Sequence, residues 1–332
     1  MKESIATAVK IAARAILLMV AAGLTVCTAT MLAGCAVLTE SQLKAVNALS
    51  TKSDTVATAP EHIFECLAAV REERGLYYAA SLTSAQAKFR EMNGLAEESI
   101  SDAKVVEKAS LYADVLDSYL RALRQLSAET RYSQYGTRIR GLGSKSDSLI
   151  SALNKTEWIK DDSGDAYSIP EGYAKMAGKV TGYLTEEYMR RRQAKFVKEY
   201  VTSGDTLVGK CCDALSDLLK KKECRELYEN EVEGLKENYL AYLQRMERLG
   251  GAPGIEEDRN YLVLSRKLDN AKLTSEKCSG ALKSLKRAHH KLVVTLAERK
   301  DLKEHIAEFE ELNTYAEQVA ELVKKLEKTD KD

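Results

Sequence analysis

The chain has 332 residues, of which 45% are hydrophobic, and its 50 basic residues balance 50 acidic ones. This balance argues against a nucleic-acid-binding protein, which would need a net basic surface. Only three prolines occur in a sequence rich in Ala, Leu, Lys and Glu. We therefore predict an all-α fold, an elongated antiparallel helical bundle of long helices.

The first 34 residues have the features of a secretory signal peptide. A basic start is followed by a stretch without any charge from residue 15 to residue 39. This stretch contains Leu32-Ala33-Gly34-Cys35, which resembles the lipobox of bacterial lipoproteins. The resemblance covers the leader alone, and it implies that residues 1–34 are removed and that Cys35 carries acyl chains such as palmitate. An uncleaved helix that spans the membrane is the alternative interpretation.

The same resemblance implies a location in the bacterial cell envelope. In lipoproteins of this kind, an Asp after the lipidated Cys favours retention in the inner membrane, whereas here the residue is Ala36. We therefore expect the N-terminal lipid to anchor the protein in the outer membrane. The body would then face the periplasm, which is an oxidising compartment.

Helical periodicity divides the rest of the chain into three regions. Residues 35–60 are predicted to form a lipidated tether with a short helix, because the polar tract from Ser50 to Thr55 favours a turn. Residues 61–160 are predicted to form an N-terminal helical region. Pro60 suits the start of its first helix, and Asn93-Gly94 indicates a helix end.

The third region, residues 161–332, is predicted to form a long helical hairpin. Apolar residues recur at steps of three and four on both sides of the turn signal near residues 250–254, Gly-Gly-Ala-Pro-Gly. After the turn this rhythm lasts until about residue 328, which predicts one helix about 110 Å long. Such a heptad pattern favours a coiled-coil-like seam, through which the protein would associate with itself or with partner proteins.

The cysteines bear on the register of this hairpin. If the turn is centred on Gly251, facing residues have numbers that add to 502, as Cys224 and Cys278 do. An oxidising compartment allows a disulfide between these two, and two thiols without a bridge are the alternative. The pairing of the other cysteines is left open. One of the adjacent residues Cys211 and Cys212 could form a bridge to Cys66.

No group of residues indicates a reaction, so we expect a protein that is not an enzyme and that needs neither cofactor nor metal. His289 and His290 are adjacent and point about 100° apart on a helix, and His305 lies about 24 Å further along the axis. These three side chains can share a metal only if another helix supplies ligands.

Two functions are compatible with the sequence. The first is that of a structural or interaction protein, a scaffold or spacer of the cell envelope, because the heptad rhythm comes without a catalytic arrangement. The alternative is a ligand-binding helical module that holds a small molecule or lipid between helices, since tyrosines at helical spacing can line a pocket. The tyrosines concerned are Tyr112, Tyr119, Tyr132 and Tyr135.

Lipidation can be tested directly. Radiolabelled palmitate should enter the wild-type protein in growing cells and should not enter a Cys35→Ser variant, because the acyl chains are attached at that residue. A Cys27→Ser variant is the matched control and should be labelled like the wild type, since Cys27 follows the bulky Val26 rather than a small residue. Labelling of the Cys35→Ser protein would refute the assignment.

Overall fold

The computed structural model describes residues 40–127, 147–151, 186–220, 222–252, 254–298 and 306–328. These residues form an all-α helical bundle, as the sequence predicts. Besides a short helical segment at residues 147–151, this part of the chain contains six long helices. They are α1 (Glu40–Ser81), α2 (Ala85–Ser127), α3 (Glu186–Lys220), α4 (Lys222–Arg248), α5 (Ile255–Glu298) and α6 (Ile306–Lys328).

Helix α1 is central to the bundle, because it packs against α2, α4, α5 and α6. Its buried residues are therefore not confined to one stripe. Val56, Ala57 and Ala59 are all fully buried, although they point in different directions around the helix axis. All six long helices contribute to one hydrophobic core, so the regions 61–160 and 161–332 share that core.

The polar tract from Ser50 to Thr55 is helical, which differs from the prediction of a tether over residues 35–60. From Glu40 onward these residues belong to α1, and apolar positions among them are buried. The hydroxyl group of Ser53 donates to the carbonyl oxygen of Leu49 at 2.6 Å, within the same helix. Burial of the apolar positions thus outweighs the local preference of serine and threonine for turns.

The helix end predicted at Asn93-Gly94 is wrong, because α2 runs through both residues. The chain turns earlier, at residues 82–84. Ser84 caps α2, since its hydroxyl oxygen accepts a hydrogen bond from the backbone N–H of Ala87 at 3.3 Å. A serine in the N-cap position, rather than the Asn-Gly pair, is the signal that marks this boundary.

The turn between α4 and α5 is the predicted one. The backbone N–H of Gly251 donates to the carbonyl of Met246 at 3.0 Å, and that of Gly250 donates to Glu247 at 2.9 Å. These two bonds form a Schellman motif, which closes a helix C-terminus with one left-handed residue. Gly250 fills that position with a φ of 71°, a conformation that glycine adopts without steric cost. The prediction of a turn near residues 250–254 is confirmed.

The register of this hairpin differs from the prediction. Asp258 accepts a hydrogen bond from Tyr239 of α4, and Ser279 lies 2.9 Å from Ser216 of α3. Helices α3 and α4 together therefore form the antiparallel partner of α5. The residue numbers of these two pairs add to 497 and 495 rather than to 502.

Two helices replace the single 110 Å helix that was predicted beyond the turn. Helix α5 ends at Glu298, and α6 begins at Ile306 and runs back along α5. Arg287 of α5 and Glu311 of α6 form an ion pair at 2.7 Å. The apolar seam of α6 packs against α5 and α1, because folding back removes that seam from water. The heptad pattern is therefore satisfied within the chain.

One carboxylate is buried where α4 meets α1. The side chain of Glu231 is only 1% exposed, and it accepts a hydrogen bond from Nε of Arg71 at 2.7 Å and another from Arg74. A carboxylate at such a site depends on these partners, because desolvation without them is costly.

Replacing Glu231 by Ala should lower the free energy of unfolding by about 3–5 kcal/mol, because two partly buried guanidinium groups would lose their common partner. Denaturation of the full-length protein by urea measures this change. Glu233→Ala, at an exposed position of α4, is the control and should change the value by less than about 0.5 kcal/mol. Equal effects of the two substitutions would show that the buried ion pairs do not stabilise the bundle.

Candidate functional site

The predicted lipidation site lies outside the described residues. Cys35 and the leader precede Glu40, the first residue that the structure describes. Among the described helices, none combines the length and the apolar composition that a bilayer-spanning helix needs.

Cys278 has a structural role that the sequence does not reveal. Its side chain is fully buried and carries a free thiol, whose Sγ lies 3.8 Å from the carbonyl oxygen of Val56 in α1. The residue four positions after Val56 is Pro60, which has no N–H group to donate to that carbonyl. The thiol therefore supplies a weak hydrogen bond to a carbonyl that lacks its usual helical donor.

The observed register differs from the one on which the suggested disulfide between Cys224 and Cys278 was based. With numbers of facing residues adding to about 496, the position level with Cys278 is close to Leu218, near the end of α3. The side chain of Cys224 lies outside the described part of the chain. Cys278 forms no bridge in the structure, and its thiol faces α1 instead of α4.

The adjacent thiols of Cys211 and Cys212 are free and buried, so neither forms the bridge to Cys66 that the sequence left open. Burial raises the pKa of both thiols, because it disfavours the thiolate. We therefore expect both thiols to be unreactive at neutral pH.

A partly buried polar cluster joins α2, α3 and α5. Nδ1 of His289 lies 3.1 Å from Oδ1 of Asp205, and Nδ1 of His290 lies 2.8 Å from Oδ2 of the same carboxylate. On its other side, Nε2 of His289 lies 2.7 Å from the hydroxyl oxygen of Tyr119. The sequence indicated the two histidines but not Asp205 or Tyr119, which come from distant helices.

Gly204 permits the close packing of this cluster. A Cβ atom at this position would lie 2.2 Å from the hydroxyl oxygen of Tyr119, so a larger residue would displace the tyrosine. The ring of Tyr119 stacks on that of Tyr200, with centroids 5.0 Å apart. A glycine next to Asp205 within a helical stretch is the sequence signal that could have identified this site.

The environment of His289 favours its neutral form. Burial lowers the pKa of His289, although Asp205 acts in the opposite direction. Hydrogen bonds from His289 and His290 in turn lower the pKa of Asp205. The hydrogen-bond partners determine the tautomer of the neutral ring. Nδ1–H of His289 donates to the carboxylate of Asp205, and Nε2 accepts a hydrogen bond from the hydroxyl group of Tyr119.

The described residues contain no metal centre. No group of three or more His, Cys, Asp or Glu side chains among them could hold a metal ion. His62 lies 3.6 Å from Glu65 on the same helix, whereas His305 falls outside the described residues.

Only two of the four tyrosines that were suggested to line a pocket lie within the described residues. Tyr112 and Tyr119 are buried in the core, and Tyr132 and Tyr135 lie outside the described residues. A cavity of about 650 Å³ lies between α1, α3, α4 and α5, and Tyr228 is one of its lining residues. Its volume is within the range of small-molecule sites.

Comparisons of the chain with models of known protein families, with curated protein sequences and with solved structures find no match. The function is therefore argued from the chemistry of these sites and from the protein surface.

The pKa of His289 predicts a loss of stability in mild acid. Because this pKa lies below the unfolded value of about 6.5, the unfolded chain binds more protons as the pH falls below that value. Stability should therefore decrease from about pH 6.5 downward, and Asp205 should add to the loss only as the pH falls through its own, lowered pKa. Urea denaturation at pH 7.5, 6.5 and 5.5 measures this slope.

A substitution of His289 isolates its contribution. His289→Gln should be about 1–3 kcal/mol less stable than the wild type at pH 7.5, because buried partners lose a hydrogen bond, and it should show a smaller slope between pH 6.5 and 5.5. His62→Gln is the control and should keep the wild-type slope. An unchanged slope in His289→Gln would mean that other groups cause the acid sensitivity.

Proposed function

We propose that the protein is a lipid-anchored protein of the cell envelope that acts as a spacer and presents an apolar end to a partner protein. The proposed anchor is Cys35 in the lipobox-like segment. The observation that carries the proposal is the position of the exposed apolar side chains at one end of the bundle.

Most exposed large apolar side chains lie close to the turns after α1 and α4. Of nine such side chains in the described residues, eight are within about 15 Å of these turns along the helix axes. The two turns adjoin each other, since the hydroxyl group of Tyr77 donates to the carbonyl of Glu257 at 2.9 Å. We call the eight residues the distal apolar end: Leu76, Tyr78, Phe89, Met92, Leu240, Leu249, Ile255 and Leu262.

The proposed attachment point is connected through a short segment to the start of α1, the end of that helix opposite to the distal apolar end. Helix α1 has 42 residues, so its two ends are about 60 Å apart. Cys35 precedes Glu40 by five residues, which span at most about 18 Å. A lipid on Cys35 would hold the start of α1 near the membrane and leave the distal apolar end far from it.

Exposed apolar patches are typical of sites where proteins bind one another. Phe89 and Ile255 are 68% and 74% exposed, and a partner that covers them would remove this surface from water. The seam of α6 is buried within the chain, so we assign a partner to the distal apolar end rather than to that seam.

Photo-crosslinking in living cells tests the spacer function. A photoreactive amino acid at Leu249 of the full-length, lipidated protein should form an adduct with a partner. The same probe at Leu273, an exposed position on the side of α5, should form none. The combined substitution Phe89→Ser and Ile255→Ser should abolish the adduct while leaving stability nearly unchanged, since exposed positions contribute little to folding.

The mass of the adduct identifies the partner as a second copy of the chain or as a different protein. Equal adducts from Leu249 and Leu273 would show that the distal apolar end has no special affinity. An adduct that persists in a Cys35→Ser variant would show that contact does not depend on the membrane anchor.

A second candidate function is that of a ligand-binding module. The cavity of about 650 Å³ favours it, because it lies between four helices and combines apolar with charged walls. Photolabelling of this cavity by any small amphiphile would support it, and complete absence of such labelling would refute it.

A further inference from the structure

The cavity between α1, α3, α4 and α5 has an apolar floor. Ile63 and Leu67 of α1, Leu219 of α3 and Ala271 of α5 line it and are almost completely buried. Tyr228 of α4 also lines the cavity. A ligand that fills this part of the cavity would need a hydrocarbon part, because apolar surfaces that come together leave water and this favours binding.

The remaining lining residues give the cavity a positively charged rim. The basic ones are Lys220, Arg225, Lys272 and Lys283, and the acidic ones are Glu229 and Glu276. The excess of positive charge favours an anionic group at this rim. The methylene stems of the lysines extend the apolar wall, while their ammonium groups can stay in water.

Two of these lysines, Lys220 and Lys283, line the same cavity and influence each other electrostatically. Partial burial and the ammonium group of Lys283 lower the pKa of Lys220 to about 8, and the carboxylates of Asp217 and Asp213 do not outweigh them. Asp213 already forms an ion pair with Lys286 at 2.6 Å. Two adjacent ammonium groups repel each other, so an anion that accepts hydrogen bonds from both would relieve this repulsion.

We propose that this cavity binds a single-chain amphiphile whose carboxylate or phosphate head lies between Lys220 and Lys283 and whose hydrocarbon chain lies on the apolar floor. The inference rests on the ligand-binding function named above as second candidate, and it specifies the ligand class. A neutral head would leave the repulsion between the two lysines in place, and a small anion would leave the apolar part of the cavity unfilled. Both parts of the amphiphile are therefore required.

Photolabelling of the full-length lipidated protein in phosphatidylcholine vesicles tests this proposal. The probe is a C16 fatty acid with a diazirine in its chain, and digestion with mass spectrometry locates the label. Label should appear in peptides that line the cavity, around Leu219, Tyr228 and Ala271. Excess palmitate or hexadecyl phosphate should remove it, and the more effective of the two identifies the preferred head group.

Two further competitors separate the parts of the ligand. Hexadecanol should be at least about tenfold less effective than palmitate, because it lacks the charge. Acetate and inorganic phosphate should not compete, because they lack the chain. Equal competition by hexadecanol would overturn the anionic specificity while leaving a ligand-binding module intact. Absence of cavity label from the fatty acid and from a neutral diazirine alcohol would overturn both.

Charge variants identify the residues that bind the head group. The double substitution Lys220→Gln and Lys283→Gln should reduce labelling by at least about tenfold, and it should not impair folding because both side chains are exposed. The double substitution Lys236→Gln and Lys277→Gln removes the same charge from α4 and α5 outside the cavity lining, and should leave labelling unchanged. Equal loss in both variants would show a general effect of protein charge.

The pKa of Lys220 adds a test by pH. Labelling by a diazirine alkyl sulfonate, which stays ionised, should fall by about tenfold between pH 7 and pH 9 as Lys220 loses its proton. Lys220→Arg should bind across this range, because guanidinium stays protonated. A wild type without this decrease would exclude Lys220 as the head-group ligand. Other charged groups facing Lys220 or the cavity are Asp213, Asp217, Arg225, Glu229, Lys272, Glu276 and Lys283.

Discussion

The bundle depends on the burial of α1, which packs against four neighbouring helices. A polar group on the buried faces of this helix needs a partner, since water does not reach it there. Three contacts meet this requirement: the thiol of Cys278 at the carbonyl of Val56, the guanidinium of Arg124 at the carbonyl of Ser50, and the buried carboxylate of Glu231 at the α4 contact. Each contact fixes the position of α1 along its axis relative to a different neighbouring helix. Cys278 belongs to α5, Arg124 to α2 and Glu231 to α4.

The sequence predicted the parts of the fold that local physics determines. Periodicity indicated the helices, and the glycines around Gly250 indicated the hairpin turn, because both signals act over a few residues. Register and partner choice were not predictable in the same way. The apolar stripe of α6 shows which face is buried, but an extended coiled coil and a helix folded back on α5 satisfy that stripe equally well. Burial of α1 likewise turned a polar tract into helix, which no local propensity reveals.

The candidate sites were harder to predict than the fold, because their residues are far apart in sequence. His289 and Tyr119 are 170 positions apart, and the cavity wall combines residues of four helices. Two local signals were present, the glycine beside Asp205 and the lysine at the end of α3. Both have ordinary explanations in a helical sequence, and they indicate sites only once the packing of α3 on α5 is known.

The packing of α3 on α5 contains more regularly spaced polar pairs than the packing around α1. Polar pairs recur along the contact of α3 with α5: Asp205 with His289, Asp213 with Lys286, and Ser216 with Ser279. Apolar contacts alone tolerate a shift by one helical turn, whereas a shift here would separate all three pairs and leave buried His289 without its acceptor. The register of α3 against α5 is therefore set by ion pairs and hydrogen bonds. These interactions respond to the binding of protons and anions. For this reason the contact of α3 with α5, rather than the apolar core around α1, is where pH and an anionic ligand would act on the bundle.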